Sequence, residues 1–220
     1  MNLSIFEVLG PVMIGPSSSH TAGAAKLARV AAMIAAKPFN KVNFALHGSF
    51  LKTGQGHGTR LALLAGAMGI AEDDERLKAA EAIAAEKGVE YSFTEAELDD
   101  VHENTACITF FHTDGSVSSI TGCSIGGGRI RITDVNGMAT DISAEQPTLL
   151  IEQNDVSGVI STISTALAED GINIGVMRVG RSTRGGIAST ILELDEPVSA
   201  ALAAHLQSLP NVRRVCVINL

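Results

Sequence analysis

The stretch TLLIEQNDVSGVISTISTALAED, residues 148–170, decides the fold of the second half of this chain. It begins with TLLIEQ, a short apolar run of the kind found in buried strands. It ends with apolar side chains at helical spacing, which give a helix within 156–169 one face to pack on a sheet. These side chains are Val156, Val159, Ile160, Ile163 and Leu167. The stretch therefore predicts a strand, a turn and an amphipathic helix.

The residues that follow repeat this alternation of strand and helix patterns. They predict two strands joined by the turn STRGG, then a helix and a last strand. The four runs are NIGVMRVGR, IASTILELD, PVSAALAAHLQS and VRRVCVINL. The resulting order, βαββαβ, is the split ferredoxin-like arrangement. Because Pro147 disfavours helix at the residue before it, we predict a boundary here and two domains, at 1–146 and 148–220.

The first half of the chain combines helices with a run of strands. A helix is predicted from Ser17 to Ala36, because alanines and spaced apolar residues follow a cluster of hydroxyls. Next come a strand at 41–50, a glycine-rich loop at 52–60, and helices at 61–70 and 77–87. Four strands are then predicted, with the sequences VEYSFTEA, NTACITFFHT, SVSSITGCSI and GRIRITDV. The predicted fold class is therefore α+β.

The composition excludes several classes of partner. Hydrophobic residues make up 45% of the 220 residues, which is enough for two packed cores. The net charge of −8, with no basic run, disfavours nucleic acid and anionic membranes, so small solutes or proteins are the expected partners. The N-terminus lacks the positively charged start of a signal peptide, and no apolar run approaches the ~18 residues of a membrane span. We therefore expect a soluble, cytoplasmic protein.

The three cysteines, Cys107, Cys123 and Cys216, stand far apart and form no CxxC pair. This spacing encodes neither a disulfide framework nor a zinc or iron–sulfur site, so no metal site is expected on this chain. Each cysteine lies in an apolar strand pattern and is expected in a core. The spacing favours a reducing compartment.

GPSSSH at 15–20, followed by Thr21, is the densest cluster of hydroxyls in the chain. A serine beside a histidine suggests a hydrolase, but the Gly-x-Ser-x-Gly elbow is absent, and sequence neighbours do not make a nucleophile–base pair. The simplest role is a helix cap, which one of Ser17, Ser18 and Ser19 would supply. The surplus hydroxyls, with free amides at the positive end of the helix dipole, also form a natural receptor for a small carboxylate or phosphate.

A second cluster, HGSFLKTGQGHGTR at 47–60, joins a strand to a helix. Its glycines allow close approach of the backbone to a ligand, and His57 could transfer a proton near neutral pH. The alternative is that the glycines serve only the turn and that His57 is solvated. His102, His112 and His205 are more simply explained as polar surface residues.

Four motifs, in this order, resemble the β-chain family of iron–sulfur-dependent L-serine dehydratases. They are PVMIGPSSSHTAGAA at 11–25, LHGSFLKTGQGHGT at 46–59, HENTACITF at 102–110 and SIGGGRI at 124–130. The βαββαβ module after them resembles an ACT domain. The resemblance covers essentially the whole chain. It implies an N-terminal α/β serine dehydratase β domain, also called the allosteric-substrate-binding domain, which occurs in some phosphoglycerate dehydrogenases as well.

The resemblance also implies an activity, the conversion of L-serine to pyruvate and ammonia by an L-serine ammonia-lyase that is incomplete without an α chain. In that family the cysteines of the α chain hold a [4Fe–4S] cluster. The open iron acts as a Lewis acid on the serine hydroxyl, while a base removes the α-proton. The implied partners are the α chain, L-serine and, through the ACT or the β domain, a second copy of this chain.

The same resemblance assigns roles to residues. It implies that His57 transfers the proton or holds the substrate, and that His20 supports catalysis. The implied substrate contacts are Ser17, Ser18, Ser19, Thr21, His47 and Ser49. The alternative for the three serines and Thr21 is that they order the cluster pocket of the partner chain. In the ACT module it implies an amino-acid effector near the turn after the first strand, at Asn154, Asp155 and Gly158. The alternative is that this module only dimerises, since a fold does not fix a function.

Two positions depart from the family pattern. Arg60 follows GHGT, where the family usually has an acidic residue, and HENT stands at 102–105, where HPNT is common. A guanidinium close to an imidazolium would lower the pKa of the imidazolium. Two other functions stay open beside the enzyme subunit: a free-standing serine-sensing module and a structural dimerisation partner.

Overall fold

The structure, a computed structural model, describes residues 12–54 and 56–220. Residues 1–11 and Gln55 of the glycine-rich loop lie outside the described residues. Residues 1–11 include the N-terminus considered for a signal peptide and the first residue of the first motif. Within the two described ranges, no helix is both long and apolar enough to cross a membrane.

The described residues form two compact units. The first extends to Ser143, and the second begins at Ala144. Helices and strands occur in both units, so the α+β fold class is confirmed. The domain ranges 1–146 and 148–220 stay a prediction.

The first unit opens with a single π-helical turn, Ser18–Ala22, which continues directly into a long helix. The helices of this unit are α1 (Gly23–Ala35), α2 (Gly48–Thr53), α3 (Thr59–Ala67) and α4 (Ala80–Glu86), with a 3-10 turn at Glu75–Ala79 before α4. Its strands are β1 (Phe39–Leu46), β2 (Glu90–Glu95), β3 (Thr105–His112), β4 (Val117–Gly126), β5 (Arg129–Val135) and β6 (Met138–Ile142). The long helix predicted after the serine cluster is therefore present.

The strands of the first unit form one sheet in the order β2-β1-β3-β4-β5-β6. β1 and β2 are parallel, whereas the other neighbouring strands are antiparallel. A parallel pair needs a crossover connection, and α2, α3 and α4 lie in the connection between β1 and β2. The sequence does not predict β6, because its residues MATDI show no alternation of apolar and polar side chains.

Small side chains allow α1 to pack closely on α3. Leu27, Val30 and Ile34 of α1 are fully buried. Gly66 of α3 lies so near α1 that a Cβ at this position would be 2.0 Å from the carbonyl oxygen of Ala25. The π turn before α1, which contains His20, lies against the residues before α3, because the Thr21 hydroxyl donates to the carbonyl oxygen of His57 at 2.9 Å.

Two expectations for the first unit are wrong. The strand predicted at 41–50 ends at Leu46, because Gly48 adopts a φ of +53° and turns the chain into α2. His112 is not a surface residue: it is 4% exposed, and its Nε2 lies 2.8 Å from the Ser118 hydroxyl. The alternation of β3 places His112 on the covered face of the sheet, where the hydroxyl satisfies the ring.

The second unit has the predicted order βαββαβ. Its elements are β7 (Thr148–Asn154), α5 (Val159–Glu169), β8 (Ile174–Arg181), β9 (Ile187–Leu194), α6 (Ala200–Ser208) and β10 (Val212–Ile218). The strands form an antiparallel sheet in the order β10-β7-β9-β8, so β8 and β10 are its edges.

The core of the second unit lies between one face of this sheet and the two helices. Its buried side chains include Leu149, Ile151, Ile163, Leu167, Leu192, Leu202 and Leu206. Val156, which the spacing assigned to the apolar helix face, is 48% exposed instead. Gly158, with a φ of +92°, starts α5 at Val159, so Val156 precedes the helix.

Candidate active site

The predicted hydroxyl cluster forms the π turn at the start of α1. Ser17 caps this turn: its hydroxyl accepts a hydrogen bond of 3.0 Å from the backbone N–H of His20. Its carbonyl accepts from the amides of Thr21 and Ala22 at 3.0 and 3.2 Å. One of the three serines therefore has the capping role that the sequence predicts, and the other two hydroxyls are left for other contacts. π turns inside helices occur frequently at functional sites.

Hydroxyl groups surround the imidazole of His20. Its Nε2 lies 3.0 Å from both the Ser49 Oγ and the Thr53 Oγ1. On the other side of the ring, Nδ1 lies 3.2 Å from the Ser19 Oγ. Both nitrogens thus have partners, and the edge of the ring also contacts the Phe50 ring, with centroids 5.5 Å apart. These contacts fix the orientation of the His20 ring.

His57 lies beside His20, with ring centroids 5.2 Å apart. Its Nδ1 is 3.2 Å from the carbonyl oxygen of Thr53, and its own carbonyl accepts a 2.9 Å hydrogen bond from the Thr21 hydroxyl. A carbonyl oxygen can only accept, so the His57 Nδ1 carries a proton and Nε2 keeps a free lone pair. The side chain is exposed, which leaves that lone pair open to a ligand.

The pKa of His20 is lowered from its ordinary value. Burial of the ring is the main cause, and the nearby His57 adds to the shift, because two imidazolium charges would repel each other. A contact with the Ser49 backbone opposes the shift. His20 is therefore neutral at neutral pH, and its ring can take part in directional hydrogen bonds as both donor and acceptor.

The other residues predicted to contact the substrate differ in whether they touch the cluster around His20 and His57. Ser49 and Thr21 join it directly, as described, whereas Ser18 contributes its carbonyl oxygen, which accepts from the Gly23 amide. His47 is directed elsewhere: its Nδ1 lies 3.3 Å from both the Ala96 carbonyl and the Leu98 amide. The role of His47 in substrate binding stays a prediction.

Arg60, which departs from the family pattern, does not pack on His57. Its guanidinium lies over the ring of Phe93 on β2, 5.3 Å from the ring centre. A cation over an aromatic face is a favourable arrangement. The positive charge at position 60, where the family usually has a negative one, therefore lies over the edge strand β2.

The structure adds three polar atoms that the sequence reasoning missed. Within the described residues, the hydroxyls of Thr59 and Ser124 and the amide oxygen of Asn104 are shielded from solvent and have no hydrogen-bond partner. Asn104 and Ser124 are neighbours, since the Ser124 amide donates to the Asn104 carbonyl at 3.0 Å. In the described part of the chain, the same lack of a partner holds for Arg29 Nε, Thr140 Oγ1 and Gln153 Oε1. An unpaired buried polar group costs about 1–3 kcal/mol, so each of these atoms needs an explanation. The sequence does contain a signal for Thr59, Asn104 and Ser124, because all three lie in the motifs GHGT, HENT and SIGGG.

Ser124 also touches the start of α1. A Cβ on Gly23 would lie 2.0 Å from the Ser124 Oγ. This hydroxyl therefore stands at the same helix N-terminus as the serine cluster.

The predicted effector residues of the second unit already have partners. The Asp155 carboxylate accepts from the Arg181 guanidinium at 2.8 Å and from the Gly185 amide at 2.9 Å, and these contacts lower its pKa. Asn154 binds the side chains of Asn211 and Arg213. Gly158 stands at the start of α5, which has no side-chain cap. Effector binding here stays a prediction.

The described residues do not form a metal site. Residues 12–54 and 56–220 contain no group of three or more His, Cys, Asp and Glu side chains placed to hold a metal ion. Cys123 and Cys216 are buried, and burial raises the pKa of both thiols, that of Cys216 to about 11.

Comparison with known families matches both units of the chain. The model of the serine dehydratase beta chain matches residues 4–90, and that of the ACT domain matches residues 147–211. The second match covers most of the βαββαβ unit, whose order the structure shows.

Two similar proteins match the chain over nearly its whole length. The "Probable L-serine dehydratase, beta chain" of Bacillus subtilis (strain 168) is 40% identical over 96% of each chain. The "L-serine dehydratase, beta chain" of Peptoniphilus asaccharolyticus is 41% identical over 92% of each chain. A D-3-phosphoglycerate dehydrogenase of Mycobacterium leprae is 29% identical over 73% of this chain, which is 31% of the dehydrogenase.

Proposed function

The chain belongs to the serine dehydratase β-chain family, and we propose that it is the β subunit of a cytoplasmic enzyme that converts L-serine to pyruvate and ammonia. The α chain of that enzyme carries a [4Fe–4S] cluster. The observation that carries the proposal is the exposed Nε2 lone pair of His57, placed beside a neutral His20 and a hydroxyl-rich helix N-terminus.

The start of α1 suits the carboxylate of an amino acid. Ser18 and Ser19 stand at the positive end of the helix dipole, and the hydroxyl of Ser17 is adjacent. A carboxylate placed there accepts from the Ser18 hydroxyl and from first-turn amides, which position it. This fixes one end of the substrate.

The unpaired polar atoms suit the rest of the substrate. The Asn104 amide oxygen can only accept, so it matches the α-ammonium group, while the hydroxyls of Thr59 and Ser124 can donate or accept. We propose that these atoms pair with the ammonium group and the hydroxyl of a ligand that reaches them. L-serine carries both groups on two adjacent carbons.

His57 is suited to remove the α-proton. Its Nδ1–H donates to the Thr53 carbonyl, so the unprotonated Nε2 accepts the α-proton, and the carbon keeps the electron pair of the C–H bond. His20 stays neutral and so places no second positive charge next to the imidazolium that forms. That electron pair forms the double bond as the hydroxyl leaves, and the resulting aminoacrylate tautomerises and hydrolyses to pyruvate and ammonia.

The departure of the hydroxyl is assigned to the partner chain. The described residues of this chain hold no group of three or more side chains placed to bind a metal ion, so the proposal routes no step on this chain through the cluster. The cluster, when bound to the α chain, supplies Lewis-acid assistance to the leaving hydroxyl. His57 and the hydroxyl cluster then face the α chain, because both chains must touch one substrate.

Anaerobic co-expression with an iron–sulfur α chain of this family tests the proposal. The pair is expected to form pyruvate from L-serine, and His57→Gln, which removes the base, is expected to abolish turnover while the two chains still co-purify. His205→Gln, at an exposed position on α6, is the matched control and is expected to keep full activity. A cluster-loaded wild-type pair that forms no pyruvate overturns the proposed function. If the His57→Gln pair is active, His57 is not the base, but the proposed overall function still stands.

A sensing module is the second candidate, and the similarity to D-3-phosphoglycerate dehydrogenases favours it. Calorimetry with the complete chain separates the two. Binding of L-serine by a chain that activates no α partner supports a sensor, whereas pyruvate formation by the pair supports the enzyme.

We also propose that two copies of the chain associate through β8. This strand is an edge of its sheet, and its exposed side chains include Met177, 39% exposed, and Val179, 52% exposed. An edge strand has unpaired backbone groups, and a second β8 would pair with them and cover these apolar side chains. A chain whose mass in solution is that of a monomer at all concentrations contradicts this proposal.

A further inference from the structure

Thr53 is the last residue of α2 and contacts both histidines with different atoms. Its Oγ1 lies 3.0 Å from the His20 Nε2, and its carbonyl oxygen lies 3.2 Å from the His57 Nδ1. The sequence predicts this residue in a loop, and the resemblance assigns no role to it. The structure instead makes Thr53 the point where the two rings are joined.

The proton of the Thr53 hydroxyl is already used. Oγ1 donates it to the carbonyl oxygen of Ser49 at 2.9 Å, as the hydroxyl of a helical threonine commonly does to the preceding turn. A hydroxyl has one proton, so Oγ1 can only accept from its other neighbours. These neighbours are the His20 Nε2 and the Ser49 Oγ, at 3.0 and 3.2 Å.

This proton count favours one tautomer of neutral His20. Without a proton on Nε2, the ring could accept only from the Ser49 hydroxyl, 3.0 Å away, and its lone pair would face the lone pairs of Oγ1 at the same distance. With a proton on Nε2, the contact becomes a hydrogen bond, and Nδ1 accepts from the Ser19 hydroxyl at 3.2 Å. The Ser17 hydroxyl, 3.4 Å from that of Ser19, can continue the chain in the same direction.

The carbonyl of Thr53 has the opposite effect on His57. Because a carbonyl only accepts, it requires a proton on the Nδ1 of His57 and leaves Nε2 bare. The backbone and the side chain of one residue therefore favour different tautomers on two neighbouring rings.

We propose that Thr53 is a positioning residue that sets these complementary tautomers, Nε2–H on His20 and Nδ1–H on His57. The catalytic consequence rests on the proposed function, in which the bare Nε2 of His57 takes the α-proton. Through His20, Thr53 also orients the Ser19 and Ser17 hydroxyls, whose protons then point toward His20. Ser18 is therefore the serine of the helix start that is left to donate to the substrate carboxylate.

The tautomers are measured on the isolated chain, without any assay of activity. Two-dimensional ¹H–¹⁵N spectra of ¹⁵N-histidine-labelled protein near neutral pH are expected to show His20 as the Nε2–H form and His57 as the Nδ1–H form. Thr53→Val removes the hydroxyl and keeps the carbonyl, so it is expected to shift the His20 ring nitrogens toward a mixture of tautomers and to leave His57 unchanged. Thr53→Ser restores the hydroxyl and is expected to restore the His20 spectrum.

Thr165→Val is the matched control, because Thr165 is an exposed threonine on α5 of the second unit. It is expected to leave both histidine spectra unchanged. Wild-type His20 in the Nδ1–H form, or a Thr53→Val spectrum identical to that of the wild type, overturns the proposal. Thermal unfolding of each variant shows whether the first unit is still folded. If Thr53→Val unfolds it, the wild-type tautomers and the Thr53→Ser spectrum still decide.

The catalytic consequence is measured on the pair with the α chain. Thr53→Val is expected to lower kcat by roughly tenfold or more, because a misplaced catalytic group loses rate steeply, and Thr53→Ser is expected to recover most of it. Unchanged kcat in Thr53→Val with altered tautomers limits the role to structure and overturns the catalytic part. An inactive wild-type pair with the expected tautomers counts against the proposed function, while the tautomer assignment still holds.

Discussion

Gly23 and Ser124 approach so closely that a Cβ on residue 23 would lie 2.0 Å from the Ser124 Oγ and 2.8 Å from its Cβ. Gly23 is the first residue of α1, and Ser124 lies on β4, so the contact holds the helix start against the sheet. The geometry of the candidate site depends on this contact. Gly23 directly follows the hydroxyl cluster of the π turn, and the Ser124 hydroxyl opposite it is one of the unpaired groups.

Gly23→Ala is therefore expected to disturb the site more than the fold. The added methyl group displaces Ser124 or tilts the helix start, and overpacking of this kind costs about 1–3 kcal/mol. Pyruvate formation by the α–β pair is expected to fall by roughly tenfold or more, since small misplacements of catalytic groups cost that much. Gly180→Ala, where a Cβ would meet nothing within 4 Å, is the control. Equal activities of the two variants would contradict the prediction.

Gly66→Ala is expected to destabilise the first unit. Its Cβ would meet the Ala25 carbonyl at 2.0 Å and the Arg29 amide at 2.9 Å, and backbone atoms cannot rotate away as a side chain can. We expect a loss of about 1–3 kcal/mol or more in the free energy of unfolding, because α1 and α3 must separate. Urea unfolding followed by circular dichroism measures it. An unchanged midpoint relative to the wild type would show that the helices can separate without cost.

His20 is expected to make the stability of the first unit depend on pH. Burial and the neighbouring His57 lower its pKa in the folded chain below the unfolded value of about 6.5. The unfolded chain then binds the proton more readily, so the contribution of His20 is present above this pH and is lost as pH falls toward the folded pKa.

The measurement compares urea midpoints between about pH 7.5 and pH 5 for the wild type and His20→Gln. The wild-type midpoint is expected to fall more steeply in this range than that of the variant, whatever the difference between them at high pH. His205→Gln, an exposed histidine on α6, is expected to keep the wild-type slope. Parallel curves for the wild type and His20→Gln would refute the assignment.

Val179→Lys is expected to weaken association of two copies through β8. A lysine on this exposed edge must lose hydration when a second strand covers it, and charged side chains are a common protection of sheet edges. Val117→Lys is the control, because Val117 is similarly exposed, at 53%, on β4 of the first unit. Sedimentation is expected to show monomers for Val179→Lys and dimers for the control. Dimers in both variants would place the contact elsewhere.

The second unit could be predicted almost completely from its sequence. Its strands and helices have clear periods, and turns such as STRGG separate them. The helix predicted there wrongly included Val156, which precedes α5. Apolar spacing does not show where a glycine with a positive φ begins a helix. The first unit was harder, since α2 is a short helix after Gly48 and β6 has no alternation.

The candidate site was predictable in its residue types and not in its contacts. The motifs indicated His20, His57 and the serines, and the structure brings these residues together. Thr53 was missed, because its role depends on two distances in space that no local pattern encodes. The direction of His47 toward residues 96–98 could not be predicted for the same reason.

The position of His57 has a consequence for how this site responds to a change of side chain at position 53. Its ring is held by the Thr53 carbonyl, a main-chain group that every amino acid supplies. Replacement of the side chain at position 53 can thus disturb His20 and still leave the proton on the Nδ1 of His57. The proton position on His57 is therefore insensitive to the side chain at position 53, whereas the hydroxyl network around His20 depends on that side chain.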